Sequence, residues 1–366
     1  MPVSKKKFNL FKKRLKEKDI DIAMFLCLGP IHDFNIQYFT DFPQEKGFSF
    51  SCLLIDNKRT LFVSKLDYDR AKTYNIEKII CLDKKRHLHN YLKDKLKPKM
   101  KVGIVENIFP YSFVKKYRQV KFVDISDILL EIRAVKEEQE INRIKKACKI
   151  ANHGIKIIQE NLSTKIRERE LAFLLEKEMI KKGADELSFP TIITSGSRSI
   201  HIHPYPSFSD KKIKKGLGLV DFGVRYKGYC SDVTLPFSIG RLSEKQKKIV
   251  KTVEDAYEKS IDALEIGKPT WQIYEVAKNI IEKNGFEFKH ALGHGLGIEL
   301  HDVPSFSPKP EDKMQLKEWK EIKLEKNMIF TIEPGVYTKY GGCRIENDIL
   351  MDKKPKILTR SKFFEL

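Results

Sequence analysis

The fold of the larger half of this chain is decided by residues 217–237, which read LGLVDFGVRYKGYCSDVTLPF. The stretch predicts two strands joined by a tight turn within residues 226–228, since apolar runs flank a turn that contains Gly. A two-residue loop at residues 226 and 227 places Asp221 and Asp232 directly opposite each other, whereas a loop at residues 227 and 228 places them diagonally. Either register puts both carboxylates on one face of the hairpin, whereas a three-residue loop would not unless a bulge restored the parity.

The two acids stand in apolar surroundings. Their neighbours predict strands that are buried on both faces: Leu219, Val220, Phe222, Val233 and Leu235. Two solvated acids on an edge hairpin are the alternative reading, and these neighbours disfavour it. Carboxylates that are buried on facing strands repel each other unless a partner compensates for their charge. The hairpin therefore predicts a bound cation.

Further polar residues follow downstream, and each has an ordinary structural explanation when it is taken alone. His294 stands between two glycines, which allow the backbone to approach a bound group closely. Glu333 ends an apolar run and is followed by Pro-Gly, so it is predicted to lie at a strand end. Arg344 and Glu346 are two residues apart on a predicted strand and therefore share a face.

Taken together, these residues form a candidate ligand set of four carboxylates and one imidazole: Asp221, Asp232, His294, Glu333 and Glu346. Their formal charge of about −4 balances two divalent cations. A set rich in oxygen, with one nitrogen and no thiolate, suits Mn(II) or Co(II), and Fe(II) or Zn(II) are alternatives. The sequence predicts a centre with two divalent metal ions.

In this order, these residues resemble the pita-bread metallopeptidases, the family of methionine aminopeptidase, aminopeptidase P and prolidase, over nearly the whole chain. The resemblance implies that the five residues are the metal ligands and that Asp232 and Glu346 bridge the two ions. It also implies that His203 and His301 are catalytic residues that stabilise the oxyanion and assist the leaving nitrogen, with Glu333 as the general acid and base. Arg344 either holds a substrate carboxylate or braces Glu346.

A domain ahead of the catalytic half resembles prolidase and aminopeptidase P more than a minimal methionine aminopeptidase. The resemblance then implies hydrolysis of the bond preceding proline in Xaa-Pro dipeptides by a hydroxide that bridges the metals, and a homodimer. An aminopeptidase P acting on longer peptides is the alternative. A non-catalytic binding protein on the same fold is the alternative of another class, and the complete ligand set argues against it. Asp302, where the family usually has Glu after the histidine, is one departure from the pattern.

The organisation of the chain supports two domains. Alternating strands and helices fill the first third, and a long charged helix is predicted over residues 137–162. We predict an α/β, ribonuclease-H-like domain over 1–129 and an α+β pita-bread catalytic domain over 130–366. Two helix pairs that end at Gly183 and Gly285 match under a shift of about 102 residues, which predicts pseudo-twofold symmetry.

Composition limits the partners. The 366 residues carry 70 Lys and Arg against 50 Asp and Glu, a formal net charge of +20. Lys supplies most of the excess, and its runs lack interleaved aromatic residues, so a solvated surface is favoured over nucleic-acid binding. Six cysteines without a CxxC motif indicate neither a disulfide framework nor a zinc knuckle. We expect a soluble, cytoplasmic protein without a membrane partner.

Overall fold

The computed structural model describes the chain except for residues 1–2, 45–49, 85–86, 313, 315 and 317–318. The described chain divides into two compact units, Met1–Ile132 and Arg133–Leu366. The predicted boundary between residues 129 and 130 lies inside a helix, Ser126–Ala134.

The first unit is built on a mixed sheet. Its strands are β1 (Ile22–Leu28), β2 (Phe50–Ile55), β3 (Arg59–Ser64), β4 (Lys78–Leu82), β5 (Lys101–Ile104) and β6 (Lys121–Asp124), in the order β4-β3-β2-β1-β5-β6. Its helices are α1 (Lys5–Glu17), α2 (Phe34–Thr40), α3 (Tyr68–Ala71), α4 (Leu88–Lys95), α5 (Tyr111–Lys116) and α6 (Ser126–Ala134). Strand β1 is buried at nearly every position because helices cover both faces of the sheet. The rings of Phe11 and Phe39 pack against each other at 4.7 Å on one of these faces.

Two helix pairs cover the second unit: α7 (Glu138–Asn161) with α8 (Glu168–Lys181), and α9 (Glu244–Asp262) with α10 (Thr270–Lys283). The bounds of α10 are those of α8 shifted by 102 residues, as the internal repeat predicts. Gly183 and Gly285 follow the two helices with φ of +102° and +81°, the left-handed conformation that ends a helix.

The helix pairs lie on two sheets. The strands of the unit are β7 (Glu186–Leu187), β8 (Ile192–Ser195), β9 (Gly216–Phe222), β10 (Val224–Tyr226), β11 (Tyr229–Cys230), β12 (Val233–Ile239), β13 (His294–Gly295), β14 (Asp302–Ser305), β15 (Ile329–Ile332), β16 (Gly335–Thr338), β17 (Gly341–Arg344), β18 (Asn347–Met351), β19 (Pro355–Ile357) and β20 (Phe364–Glu365). These two larger sheets have the orders β20-β12-β9-β8 and β14-β13-β15-β18-β19, and the remaining described strands form two smaller sheets, β11-β10-β7 and β16-β17. Each larger sheet buries an apolar face, with Phe222 and Phe237 in one core and Phe330 and Ile349 in the other. The predicted fold class of both parts of the chain is confirmed.

The register of the acidic hairpin resolves the alternative that the sequence leaves open. Asp221 pairs with Thr234, and the turn residues are Lys227 and Gly228, whose φ angles are +50° and +84°. Asp232 therefore lies diagonally across from Asp221 and on the same face. Among the described helices, none combines the length and the apolar character that are required to cross a bilayer.

Candidate active site

A cavity of about 530 Å³ in the second unit is lined by every residue that the sequence analysis assigns to the site: His203, Asp221, Asp232, His294, His301, Glu333, Arg344 and Glu346. Apolar side chains also line the cavity, among them Phe189, Ile202 and Leu300. The cavity thus combines polar groups that can hold ions with apolar groups that can contact a side chain.

The ligand candidates lie on or beside strands of both sheets. Asp221 is within β9 and Asp232 directly precedes β12, so the hairpin supplies two carboxylates. Glu333 follows β15, and Glu346 stands between β17 and β18. His294 belongs to β13, the neighbour of β15. Groups from the two sheets thus converge at one place, as the pseudo-twofold predicts.

Three of these residues form a compact ligand cluster. Asp232, His294 and Glu346 each offer one ligand atom, and these atoms lie within 4.8 Å of one another. His294 Nε2 is 3.5 Å from an oxygen of Asp232 and 3.7 Å from an oxygen of Glu333. The other ring nitrogen, Nδ1, lies 3.0 Å from the carbonyl oxygen of Gly295. Because a carbonyl only accepts, Nδ1 carries a hydrogen, and in the neutral ring Nε2 offers its lone pair on the side of the carboxylates, as a metal ligand must.

The backbone around His294 is held by close packing that only glycine permits. A Cβ on Gly293 would lie 2.1 Å from the carbonyl oxygen of Thr331, and a Cβ on Gly295 would lie 2.1 Å from the backbone of Val303. Thr331 also accepts a hydrogen bond from the His294 amide at 3.1 Å. The sequence predicts that Gly293 and Gly295 allow a close approach of the backbone. In the structure they let the neighbouring strands pack against the His294 segment.

Arg344 supports two of the ligand candidates, Asp221 directly and Glu346 through Thr234. Its side chain is 3% exposed, and Nη2 donates to Asp221 Oδ2 at 2.5 Å. Nη1 donates to the phenol oxygen of Tyr337 at 2.6 Å. Nε donates at 2.9 Å to Thr234, whose hydroxyl donates to Glu346 at 2.6 Å. These contacts favour the bracing role of Arg344, and its assignment to substrate binding stays a prediction.

The charges of the site fit divalent cations. Burial is the main cause that raises the pKa of Asp232 well above its usual range, and the negative charge of Asp221 is the second cause. Burial and then the charge of Asp232 raise the pKa of Glu346 in the same way. Asp221 Oδ1 is buried with no hydrogen-bond partner. Crowded carboxylates with an unpaired oxygen are unfavourable alone and favourable around a cation, so these residues fit the divalent metal ions that the donor set implies.

The two predicted catalytic histidines, His203 and His301, also line the cavity. The His301 ring meets the His294 ring edge to face, with centroids 4.2 Å apart. Partial desolvation, followed by the neighbouring imidazoles His294 and His203, lowers the pKa of His301 to about 4. His203 lines the same cavity as an exposed side chain. The two predicted catalytic histidines therefore lie in the cavity, and their roles stay predictions.

Sequence reasoning missed several residues that support the ligands. Thr234 and Thr331 are each two residues from a ligand candidate, so the two-residue period of a strand is a signal that would have found them. Asp348 accepts the amide hydrogen of Asp232 at 3.1 Å and lies 3.2 Å from Cys148 Sγ. Nothing in the local sequence connects Asp348 with Cys148, which is 200 residues away.

The chain belongs to Metallopeptidase family M24, whose profile matches residues 142–353. A Creatinase/Prolidase N-terminal domain matches residues 8–135. These matches confirm the predicted family, and they confirm that the chain is an enzyme.

Similar proteins and structures are known. An Xaa-Pro dipeptidase of Pyrococcus horikoshii is 35% identical over 319 residues, which cover 85% of this chain and 86% of that protein. The crystal structure of the prolidase from Pyrococcus horikoshii OT3 has a TM-score of 0.85 at 31% identity, and covers 98% of this chain and 99% of that one. The X-Pro aminopeptidase from Thermotoga maritima has a TM-score of 0.83 at 29% identity, with coverage of 98% and 99%.

Proposed function

We propose that this enzyme hydrolyses the peptide bond preceding proline, with Xaa-Pro dipeptides as its main substrates, and that it depends on two divalent metal ions. The observation that carries the proposal is the single cavity where four carboxylates and His294 meet beside His203 and His301. Relatives named Xaa-Pro dipeptidase support the same reaction. Mn(II) or Co(II) are the proposed ions, with Fe(II) and Zn(II) as alternatives.

The ligand set would hold the ions through Asp221, Asp232, His294, Glu333 and Glu346, with Asp232 and Glu346 shared between them. When bound, the ions would supply a shared water of lowered pKa as the nucleophile and would polarise the scissile carbonyl. Glu333 would accept the proton of the attacking water and return it to the leaving nitrogen. His203 and His301 donate hydrogen bonds to the oxygen on which negative charge develops.

Preference for proline follows from the chemistry of the leaving group. A bond to proline is a tertiary amide whose nitrogen carries no hydrogen, so the apolar side chains that line the cavity need offer no acceptor there. A secondary amide would bring an N–H against those side chains. Leaving this N–H without an acceptor costs about 1–3 kcal/mol, which corresponds to roughly one to two decades in kcat/KM.

A second candidate, an aminopeptidase P acting on longer peptides, is favoured by one observation. The donors of Arg344 point at Asp221, Tyr337 and Thr234, and Arg344 is the single Arg or Lys among the described residues that line the cavity. The carboxylate of a dipeptide would lie close to the scissile bond and needs a cation or several donors. A longer peptide places that charge further away.

Relative rates on three substrates test the proposal. The purified enzyme, stripped with a chelator and reloaded with Mn(II) or Co(II), should cleave an Xaa-Pro dipeptide faster than an Xaa-Pro-Yaa tripeptide. Both should be cleaved at least tenfold faster than Xaa-Ala. Equal rates on Xaa-Pro and Xaa-Ala would refute the proline specificity, and a preference for the tripeptide would establish the second candidate. A homodimer and a cytoplasmic location stay predictions.

A further inference from the structure

A buried arginine bridges the two ends of the loop that carries His301. Arg133 Nη1 donates to Glu299 Oε1 at 2.6 Å, and Arg133 Nη2 donates to Asp302 Oδ1 at 3.1 Å. The residues between these two carboxylates are Leu300 and His301, and both line the active-site cavity. One planar guanidinium thus fixes the span of four residues, which a flexible ammonium cannot do in the same way.

The bridge is buried at Arg133 and Asp302 and more exposed to solvent at Glu299. The side chains of Arg133 and Asp302 are 3% and 1% exposed, whereas that of Glu299 is 34% exposed. Burial alone would raise the pKa of Asp302, and the charges of Arg133 and Lys136 overcome this and lower it. The Arg133–Asp302 pair is therefore ionised, and each partner depends on the other.

The rest of the loop is held through its backbone. The amide of Cys230 donates to the carbonyl oxygen of Gly297 at 2.9 Å, and Arg225 Nη1 donates to the carbonyl oxygen of Ile298 at 2.7 Å. Beyond the loop, Lys136 Nζ donates to the carbonyl oxygen of Val303 at 3.4 Å. Between these points, Arg133 also holds the side chains of Glu299 and Asp302, the two residues that flank Leu300 and His301.

We propose that Arg133, through its bridge to Glu299 and Asp302, is a positioning residue that holds His301 against the ligand cluster for catalysis. Arg133 is not among the described residues that line the cavity, so it would act through His301 rather than by contact with the substrate. The proposal rests on the proposed function for its kinetic test, because the catalytic role of His301 belongs to that function. Misplacing a catalytic group by about 1 Å can cost as much as 10²-fold in rate, so loosening this loop should be visible in kcat.

A double-mutant cycle tests the proposal. Arg133→Lys keeps the buried charge but loses the fork, and it should lower kcat about tenfold while KM and metal content stay within about twofold. In a His301→Ala background, the same substitution should change kcat by less than about twofold, because the residue it positions is gone. Arg59→Lys is the matched control: Arg59 is a buried arginine that bridges Glu77 and a backbone carbonyl in the first unit. It should leave kcat unchanged.

Hydrogen exchange on the metal-free protein gives a readout that does not depend on activity. Arg133→Lys should speed amide exchange across residues 299–303, and Arg59→Lys should not. If Arg133→Lys fails to fold, Glu299→Ala removes the more exposed contact of the bridge. It should lower kcat and speed amide exchange in the same segment, both by less than Arg133→Lys is expected to. Equal losses of kcat with and without His301, or unchanged exchange in this segment, would overturn the proposal. If the wild type cleaves no Xaa-Pro peptide, the proposed function fails, and the exchange result still decides about the bridge.

Discussion

Arg344 holds Asp221 by a charge-assisted hydrogen bond of 2.5 Å, and the other oxygen of that carboxylate, Oδ1, is buried without a partner. One oxygen of Asp221 is therefore fixed by a cation of the protein, and the other is left to accept a ligand. A carboxylate oriented in this way is prepared for a metal ion, since residues behind a ligand fix its direction.

Arg344→Lys should weaken metal binding. Lys has no fork and cannot reach Asp221, Tyr337 and Thr234 together, so at least one ligand loses its orientation. We expect a loss of metal affinity of about 10–100-fold, measured by calorimetric titration with Mn(II). Tyr337→Phe is the control, because it removes one acceptor and keeps the contact to Asp221, and it should lose less. Wild-type affinity in Arg344→Lys would contradict the bracing role.

His301→Ala should separate catalysis from metal binding. His301 faces the cavity beside His294, and its proposed role is to stabilise the developing oxyanion. Removing one such donor lowers kcat by about 10²–10³. The metal content, measured by plasma mass spectrometry, should stay at the wild-type level. Loss of metal together with activity would make His301 a ligand instead.

The stabilisation by metal should grow with pH. Burial raises the pKa of Asp348 to about 7, and burial raises the pKa values of Asp232, Glu333 and Glu346 as well. Between the ordinary carboxyl pKa of about 4 and these raised values, the folded metal-free protein binds more protons than the unfolded chain, so its stability falls as pH rises. A divalent cation offsets this loss, because it favours the deprotonated form.

Thermal unfolding with and without Mn(II), at about pH 5 and about pH 8, measures this effect. The rise in Tm caused by the metal should be several degrees larger at the higher pH. An equal or smaller rise at the higher pH would contradict the assignment of the raised pKa values to the metal centre.

Asp348→Asn should stabilise the metal-free protein. The substitution keeps the acceptor for the Asp232 amide and removes a buried charge close to that carboxylate. We expect a higher Tm of the metal-free protein at about pH 8 and a weaker affinity for Mn(II), since one negative charge is lost. Asp352→Asn is the control and should change neither, because Asp352 lies in the turn after β18 and pairs with Lys356 on the surface. A lower Tm for Asp348→Asn would contradict the repulsion that we infer.

The sequence predicted the elements better than their register. The long helix expected over 137–162 spans Glu138–Asn161, because its apolar residues recur at helical spacing. The sequence leaves the hairpin register open, since the turn requires positive φ at both central residues and Lys227 gives no sign that it adopts one. The strands also come close where Gly223 faces Ser231, and a Cβ on Gly223 would lie 2.0 Å from the carbonyl oxygen of Ser231.

The sequence predicts the ligand candidates of the site, but it does not predict which residues hold them in place. The ligand candidates stand at strand ends and beside glycines, which are local signals. The partners of Arg133 and Arg344 are 169 and 123 residues away in the sequence, so only tertiary packing decides which acid each arginine meets. A local pattern cannot distinguish a guanidinium that braces a ligand from one that binds a substrate.

The metal content and activity of Asp232→Ala and Glu346→Ala test the central claim most directly, because these two residues are proposed to be shared by both ions. After reconstitution with Mn(II), the wild type should hold about two ions per chain, and each variant should hold fewer than one and cleave no Xaa-Pro dipeptide. Asp352→Ala, the surface control, should match the wild type. Full cleavage of the dipeptide by either variant, or by the exhaustively chelated wild type, would contradict the two-metal site described for this chain.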